Sequence, residues 1–494
     1  MNHEPPESLD PHDWEAFKRI GHQMIDDMFD LMKNSRDRTA WQSVPDSIHQ
    51  ALDQPIPYSG SPIQDVYQDF RDNVLPYPTG NHHPRFFGWV MGNGTATGAM
   101  ADFLISAMNC HVAGYDQAAT IVENKVLQWL AQLVGFPVSA SGLLVSGGTM
   151  ANINALQVAR NEMAGFDVRN EGIQGNHHPR LAVYGSSETH SWVLKACELM
   201  GLGRNAFRSV RVDANYQIDL QQCRQMILQD QDAGMKAFCL IGNAGTVNTA
   251  AIDDLVALRQ IANEFGVWFH VDGAFGSMAA WSQEFRHLVA AQAEADSLAF
   301  DLHKWGYMPY EVACVLVKNP NAHTETFAYS PAYLASSKRG ISVDNTRFAD
   351  RGIQLSRSFR ALKVWMSLKE QGVDRIGRVI QQNIKQAQLL ERIVNNSNQL
   401  QLLAPVSLNI VCFRYFKETL EVTRLNEINQ EILLRIQESG FAVPSQTFLA
   451  GNFAIRICIT NHRSIDEDFH QLAEMVIRLG DELLSNLATP SARF

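Results

Sequence analysis

Phe300-Asp301-Leu302-His303-Lys304-Trp305 continues the apolar run Asp296-Ser297-Leu298-Ala299-Phe300, and its lysine decides how the rest of the chain is read. A lysine rarely follows a strand of this kind unless something consumes its charge, because a desolvated ammonium is costly. Upstream, Val267-Trp268-Phe269-His270-Val271-Asp272-Gly273-Ala274 is a second apolar run that ends in a carboxylate. Taken one at a time, the two residues read as a solvated loop lysine and a helix-capping aspartate. As an ordered pair at two strand ends, they bring an amine and an anion to one site.

The surrounding pattern is that of alternating strands and helices. Apolar runs predict strands at Leu143–Ser146, Leu181–Tyr184, Ala237–Gly242, Val267–Asp272, Ser297–Phe300 and Ala313–Val317. Helical spacing predicts helices at Ala118–Val134, Ala151–Met163, Ile218–Leu228 and Leu255–Phe265. Such alternation implies an α/β domain whose large, mostly parallel sheet is covered on both faces. Before it, Trp14, Phe17, Ile20, Met24, Met28 and Leu31 repeat at helical spacing, and a second short helix is expected at Gln64–Val74. This arm has little to bury its stripes against alone, so it is expected to pack on another domain or subunit. After Gln354 a long helical stretch, Arg357–Asn395, precedes alternating strands (Leu408–Arg414, Phe453–Ile459) and helices (Leu425–Ser439, Ile465–Leu487). Three units are therefore expected: a helical arm over 1–94, a large domain over 95–356, and a small C-terminal α+β domain over 357–494.

Composition narrows the function classes. The 494 residues can form more than one domain, and 46% of them are apolar, as in ordinary globular enzymes. A net charge of -11 argues against nucleic acid or an anionic membrane as partner. No apolar run approaches the roughly eighteen residues of a membrane span, and the acidic N-terminus is neither signal nor transit peptide. The seven cysteines are scattered without a C-x-x-C, which predicts reduced core thiols in a cytoplasmic protein. Asn-His-His-Pro-Arg occurs at 81–85 and again at 176–180, but neither copy has zinc-ligand spacing, so no metal is expected.

In open α/β sheets ligands sit beyond the carboxyl ends of the strands, and the notable polar residues here fall at such ends. Ser146-Gly147-Gly148-Thr149-Met150-Ala151-Asn152 follows a strand and opens a helix. Gly148 lets the backbone approach closely, and the helix-start N–H groups with the Thr149 hydroxyl make a cradle suited to a phosphate. The rival Gly92-Asn93-Gly94-Thr95-Ala96-Thr97-Gly98 lacks dinucleotide-binding spacing. His190, in Ser186-Ser187-Glu188-Thr189-His190-Ser191, is placed to lie flat on a cofactor ring. Thr246 is another polar strand-end residue, a turn former or a contact. A phosphate cradle, an amine for an aldehyde and an anion for a ring nitrogen together describe pyridoxal phosphate. Asp272 would keep the pyridine nitrogen protonated, which makes the ring an electron sink. Lys304 supplies the amine, His303 is placed to touch substrate, and Ala274 and Asp301 complete the expected cofactor-binding set.

The order S-G-G-T-x-x-N, T-H-S, H-V-D-G-A and D-L-H-K-W resembles the group II pyridoxal-phosphate amino acid decarboxylases, which include aromatic amino acid and glutamate decarboxylases. The likeness extends over about residues 12 to 480 and includes His83-Pro84-Arg85-Phe86-Phe87, similar to the family's H-P-x-F. It implies the aspartate-aminotransferase (fold type I) architecture and a homodimer with active sites at the subunit boundary. It also implies α-decarboxylation of an L-amino acid to carbon dioxide and a primary amine. By resemblance, Pro331-Ala332-Tyr333-Leu334 is the loop whose Tyr333 returns a proton to Cα, and Arg456 matches the family's C-terminal-domain arginine. Departures fall on specificity. Gly88-Trp89-Val90-Met91-Gly92 stands where aromatic decarboxylases read A-Y-F-P-T, and Asp301 stands where well-known members carry Asn or Ser. Trp89, Val90 and Met91 suggest an apolar pocket wall and hence an aromatic substrate. Glutamate, aspartate or cysteine sulfinate is the alternative, with Arg85 as the partner of an acidic side chain. A different pyridoxal-phosphate lyase or an aldehyde-forming decarboxylase would share the cofactor residues. A non-catalytic interaction protein on this fold would be expected to have lost Lys304 or Asp272.

Overall fold

The computed structural model describes residues 7–174, 178–329, 339–343 and 346–488. Seven strands form the large sheet: β1 (Ser141–Val145), β2 (Leu181–Ser186), β3 (Phe207–Val210), β4 (Lys236–Asn243), β5 (Trp268–Asp272), β6 (Ser297–Asp301) and β7 (Ala313–Val317). Their order is β1-β7-β6-β5-β4-β2-β3. Only β7 runs against its neighbours, antiparallel to β1 and β6, while the other ladders are parallel. Strands β1, β2, β5, β6 and β7 are buried along their whole length, as strands covered on both faces must be. Because β5 and β6 are parallel neighbours, Asp272 and Asp301 leave the sheet at the same edge.

The sheet departs from expectation at β3, whose Phe-Arg-Ser-Val buries only its last residue. An edge strand of that kind carries too weak an apolar signal to stand out. The predicted helix 357–395 is two helices, Ala361–Gln371 and Val373–Asn395, divided at Gly372 with φ +71°. Glycine reaches that left-handed conformation without a Cβ clash and so breaks the run.

A second, antiparallel sheet lies in the C-terminal part, with β8 (Leu400–Leu402), β9 (Ile410–Tyr415), β10 (Ser445–Leu449) and β11 (Asn452–Cys458) in the order β10-β11-β9-β8. It has its own core, in which Phe413, Ile455 and Ile457 meet Ile432 and Phe469 of the helices Val422–Glu438 and Asp466–Ala488. The arm begins with helix Trp14–Lys33, capped by Asp13, whose side chain accepts from the Glu15 and Ala16 N–H groups. No residue of that helix is buried. No helix among the described residues is long and apolar enough to cross a membrane.

The segment 85–92 ties the parts together. Val443 N–H donates to Arg85 O (3.0 Å), Phe87 N–H to Val443 O (2.8 Å) and Cys458 N–H to Phe87 O (3.0 Å). Phe87 enters the small core while Val90 enters the large one. At its end the segment passes so close to the lysine loop that a Cβ on Gly92 would stand 1.9 Å from His303 O. Glycine alone permits that approach.

Candidate active site

Helix Gly148–Met163 opens directly beyond β1, with Gly147 extended at its N-cap. The first N–H groups of such a helix have no partner within it and carry a partial positive charge. Asp301, at the end of β6, is 1% exposed and sits against this start: a Cβ on Gly148 would stand 2.8 Å from its Oδ2. The same Oδ2 lies 2.7 Å from Lys304 Nζ. Burial works against the lysine's charge, yet the Asp301 carboxylate and, more weakly, Asp272 outweigh it and hold the Lys304 pKa above its ordinary value.

Asp272, at the end of β5, is nearly fully buried and doubly bound. Its Oδ2 accepts from Trp192 Nε1 at 2.7 Å and its Oδ1 from Ala274 N–H at 3.0 Å. Two residues back, His270 bridges Ser297 Oγ (2.8 Å) and Asn152 Oδ1 (2.7 Å), which ties β5 to β6 and to the Gly148 helix. Burial lowers its pKa to about 4, so it is a neutral strut at physiological pH. The carboxylate is therefore held by groups that cannot rotate away.

His190 lies at the mouth of this site, with Nδ1 accepting from Trp192 N–H at 3.2 Å. Partial desolvation lowers its pKa, against the pull of Asp272 and with the push of Lys304. The charges of Asp272 and Lys304 both reach this imidazole. His303 is buried, its Nδ1 accepts from Val312 N–H at 3.2 Å, and its ring meets the Tyr310 ring at 4.4 Å between centroids. That bond leaves the neutral ring's proton on Nε2, and burial keeps the pKa low.

The other expected residues divide. Thr246 sits in a turn, where its Oγ1 lies 3.2 Å from Thr249 Oγ1 and accepts from Ala251 N–H. Arg85 is engaged by other partners, with Nε 3.0 Å from Asp468 Oδ1 and its guanidinium over the Phe441 ring. Arg456 is buried and donates to Trp89 O, Ser445 Oγ, Asn248 O and Val247 O. Trp89 is 54% exposed in a left-handed conformation, Val90 is buried and Met91 half-buried. Tyr333 and its loop lie outside the described residues.

Two side chains at the site escaped the sequence reading. Trp192 holds Asp272, and its position two residues after His190 was the available signal. Tyr310 returns over His303 through the turn that follows Lys304; burial raises its pKa while the Lys304 charge pulls the other way. These residues fit pyridoxal phosphate: a glycine-built helix start for the phosphate, Asp272 for the ring nitrogen and Lys304 for the aldehyde.

Comparison with known proteins agrees with this geometry. The pyridoxal-dependent decarboxylase conserved domain matches residues 45–416. An aromatic-L-amino-acid decarboxylase of Bacillus atrophaeus is 33% identical over 473 residues, covering 95% of this chain and 96% of the relative. A phenylacetaldehyde synthase of a Rosa hybrid cultivar is 29% identical, covering 92% and 91%. Among solved structures, Oryza sativa TDC with PLP and tryptamine superposes with a TM-score of 0.89 at 25% identity, covering 96% of this chain and all of that one. The fold is accordingly the fold type I arrangement expected. The chain belongs to the pyridoxal-dependent decarboxylase family and is a pyridoxal phosphate-dependent amino acid decarboxylase.

Proposed function

We propose that the substrate is an aromatic L-amino acid and the product its primary amine. The observation that carries this reading is the state of Arg85 and Arg456, the two arginines expected in the substrate pocket. Arg85 is bound to Asp468, and Arg456 is spent on four acceptors, so neither is offered to an acidic side chain. Trp89, whose backbone oxygen Arg456 holds, supplies exposed apolar surface instead, while Val90 and Met91 pack into the cores. Related proteins named for aromatic amino acids support the same reading: the Bacillus enzyme, and the Catharanthus roseus tryptophan decarboxylase solved with L-tryptophan (TM-score 0.86, 25% identity).

Pyridoxal phosphate, when bound, supplies an aldehyde for the lysine amine and a ring that accepts electrons from Cα. The Gly148–Thr149 helix start would hold its phosphate, and Asp272, fixed by Trp192, would hold a proton on its ring nitrogen. His190 would cover a ring face. Lys304 would anchor the aldehyde carbon and yield it to the substrate amine. His303, with its proton on Nε2, would touch the substrate, and Tyr333 would return a proton to Cα after carbon dioxide leaves.

A screen of the twenty amino acids and cysteine sulfinate for carbon dioxide release tests the reading. Turnover of phenylalanine, tyrosine or tryptophan with amine as product is expected, and preferential turnover of glutamate, aspartate or cysteine sulfinate would overturn it. The phenylacetaldehyde synthases among the relatives favour a second reading, aldehyde formation. Tyr333 counts against it, because a phenol has a proton to return. Aldehyde and peroxide as the main products of the native enzyme would decide for that second reading.

We further propose a cytoplasmic homodimer. Its support is the partly exposed apolar face of helix Trp14–Lys33, together with exposed Phe103 and Met108 on helix Ala96–Met108 and seven free cysteines.

A further inference from the structure

A cavity of about 380 Å³ opens beside the segment that follows Lys304, and Gly306, Tyr307 and Met308 form part of its wall. Helix Val373–Asn395 contributes Arg375, and the turn after β11 contributes His462 and Arg463. Neither guanidinium forms an ion pair or hydrogen bond among the described residues, and Arg463 Nη1 is wholly enclosed without a partner. The acid in the lining, Glu370, is already engaged by Thr97 Oγ1 at 2.6 Å and by the Gln371 amide.

The positive character is felt by the imidazoles nearby. Burial first, and then Arg463, push the His462 pKa down to about 4. Burial and Arg463 likewise lower His82, whose buried Nδ1 also lacks a partner. An unpaired guanidinium in so enclosed a setting is costly, and an oxyanion held in the cavity against its open edge offsets that cost. Planar guanidiniums present paired N–H donors that suit tetrahedral oxyanions.

We propose that this cavity is an anion-binding site, separate from the cofactor cradle, that takes a compact oxyanion, phosphate or a phosphate monoester, on Arg375 and Arg463. The site adjoins the catalytic loop. His462 meets the Tyr307 ring edge-on at 5.8 Å, and Tyr307, three residues past Lys304, donates to Asn383 Oδ1 at 2.7 Å. Trp305 Nε1 donates to the same oxygen at 3.1 Å. An occupant therefore touches the residues that seat the lysine loop.

The test is calorimetric titration of the full chain saturated with pyridoxal phosphate, so that the cofactor cradle is filled. Sodium phosphate and glycerol phosphate are the probes, in separate titrations against sodium chloride of equal ionic strength. One saturable site per chain is expected, with affinity falling about tenfold or more in R375Q and in R463Q, as loss of a charge-assisted hydrogen bond implies. Tighter binding of sodium phosphate points to the free ion, and tighter binding of glycerol phosphate to a phosphorylated metabolite. Arg375 lies on an exposed helix position, so R375Q remains informative even if R463Q fails to fold. No saturable heat with either probe, or wild-type affinity in R375Q, would overturn the proposal.

Discussion

Lys304 and Asp301 face each other at 2.7 Å, and the pair holds the lysine pKa above its ordinary value. An amine must lose its proton before it attacks an aldehyde, so the ion pair opposes capture of the cofactor by the apo protein. Below the lysine pKa the neutral fraction grows about tenfold per pH unit. Capture should therefore accelerate with pH, and Asp301→Asn, which removes the opposing charge, should be faster near pH 7 and converge with wild type at high pH. Stopped-flow absorbance of apo protein mixed with pyridoxal phosphate checks this; equal rates at pH 7 would remove Asp301 from control of the amine. Asp272 calls for a different measurement, since the Gly148 helix start holds phosphate without it. Asp272→Ala should keep the cofactor, with borohydride still fixing a pyridoxyl group on Lys304, while turnover falls by roughly 10³ or more. Near-native turnover would refute its role. These two residues were legible because each ends an apolar run. Arg85 was not, because its partner Asp468 stands 383 positions away, and Tyr310 was hidden because only the folded turn after Lys304 carries it back over His303.

At the scale of elements, the Asp468 carboxylate joins three pieces of chain. It accepts from Arg36 of the arm at 2.8 Å, from Arg85 of the connecting segment at 3.0 Å, and from the Ile465 N–H at its own helix start at 2.9 Å. Burial alone would raise its pKa, but these donors prevail and the pKa is lowered. A carboxyl with a depressed folded pKa contributes stability that is complete above its unfolded value, about 4, and is lost as pH falls through the folded value. Asp468→Asn should therefore cost about 1–3 kcal/mol at pH 7, with the partly exposed arginines keeping it at the modest end. The difference from wild type should shrink below about pH 4. Thermal melts at the two pH values check it, and a constant difference would mean that packing, not charge, is what was lost. Elements with a strong period, such as Leu255–Phe265, were legible to the residue. The break at Gly372 was not, because apolar spacing continues across it and only the backbone conformation interrupts the helix.

At the scale of the whole molecule, an amphipathic surface of the arm is left partly uncovered among the described residues. Helix Trp14–Lys33 buries none of its residues, and its Trp14 and Phe17 are 55% and 42% exposed. Exposed Phe103 and Met108 on helix Ala96–Met108 add to this, both at 56%. Scattered apolar residues on a surface need no explanation, but an apolar stripe along a whole helix marks an interface. A second copy of the chain is the occupant we propose, which makes the arm an assembly element, tied to its own chain through contacts such as Tyr67 with Asp27 and Arg36 with Asp468. Trp14→Asp with Phe17→Asp places two charges in that interface, and burying an unpaired carboxylate is prohibitive. Sedimentation velocity should show wild type at about twice the 55.3 kDa chain mass and the double variant at the chain mass. Neither substitution touches Lys304, Asp272 or the Gly148 helix, so the variant should still bind pyridoxal phosphate. If the active site draws on the second copy, as the family resemblance implies, turnover should fall with the fraction of monomer and recover at high protein concentration. A double variant that keeps the wild-type mass would show that the stripe packs elsewhere, and full turnover in a proven monomer would show that each chain completes its own site.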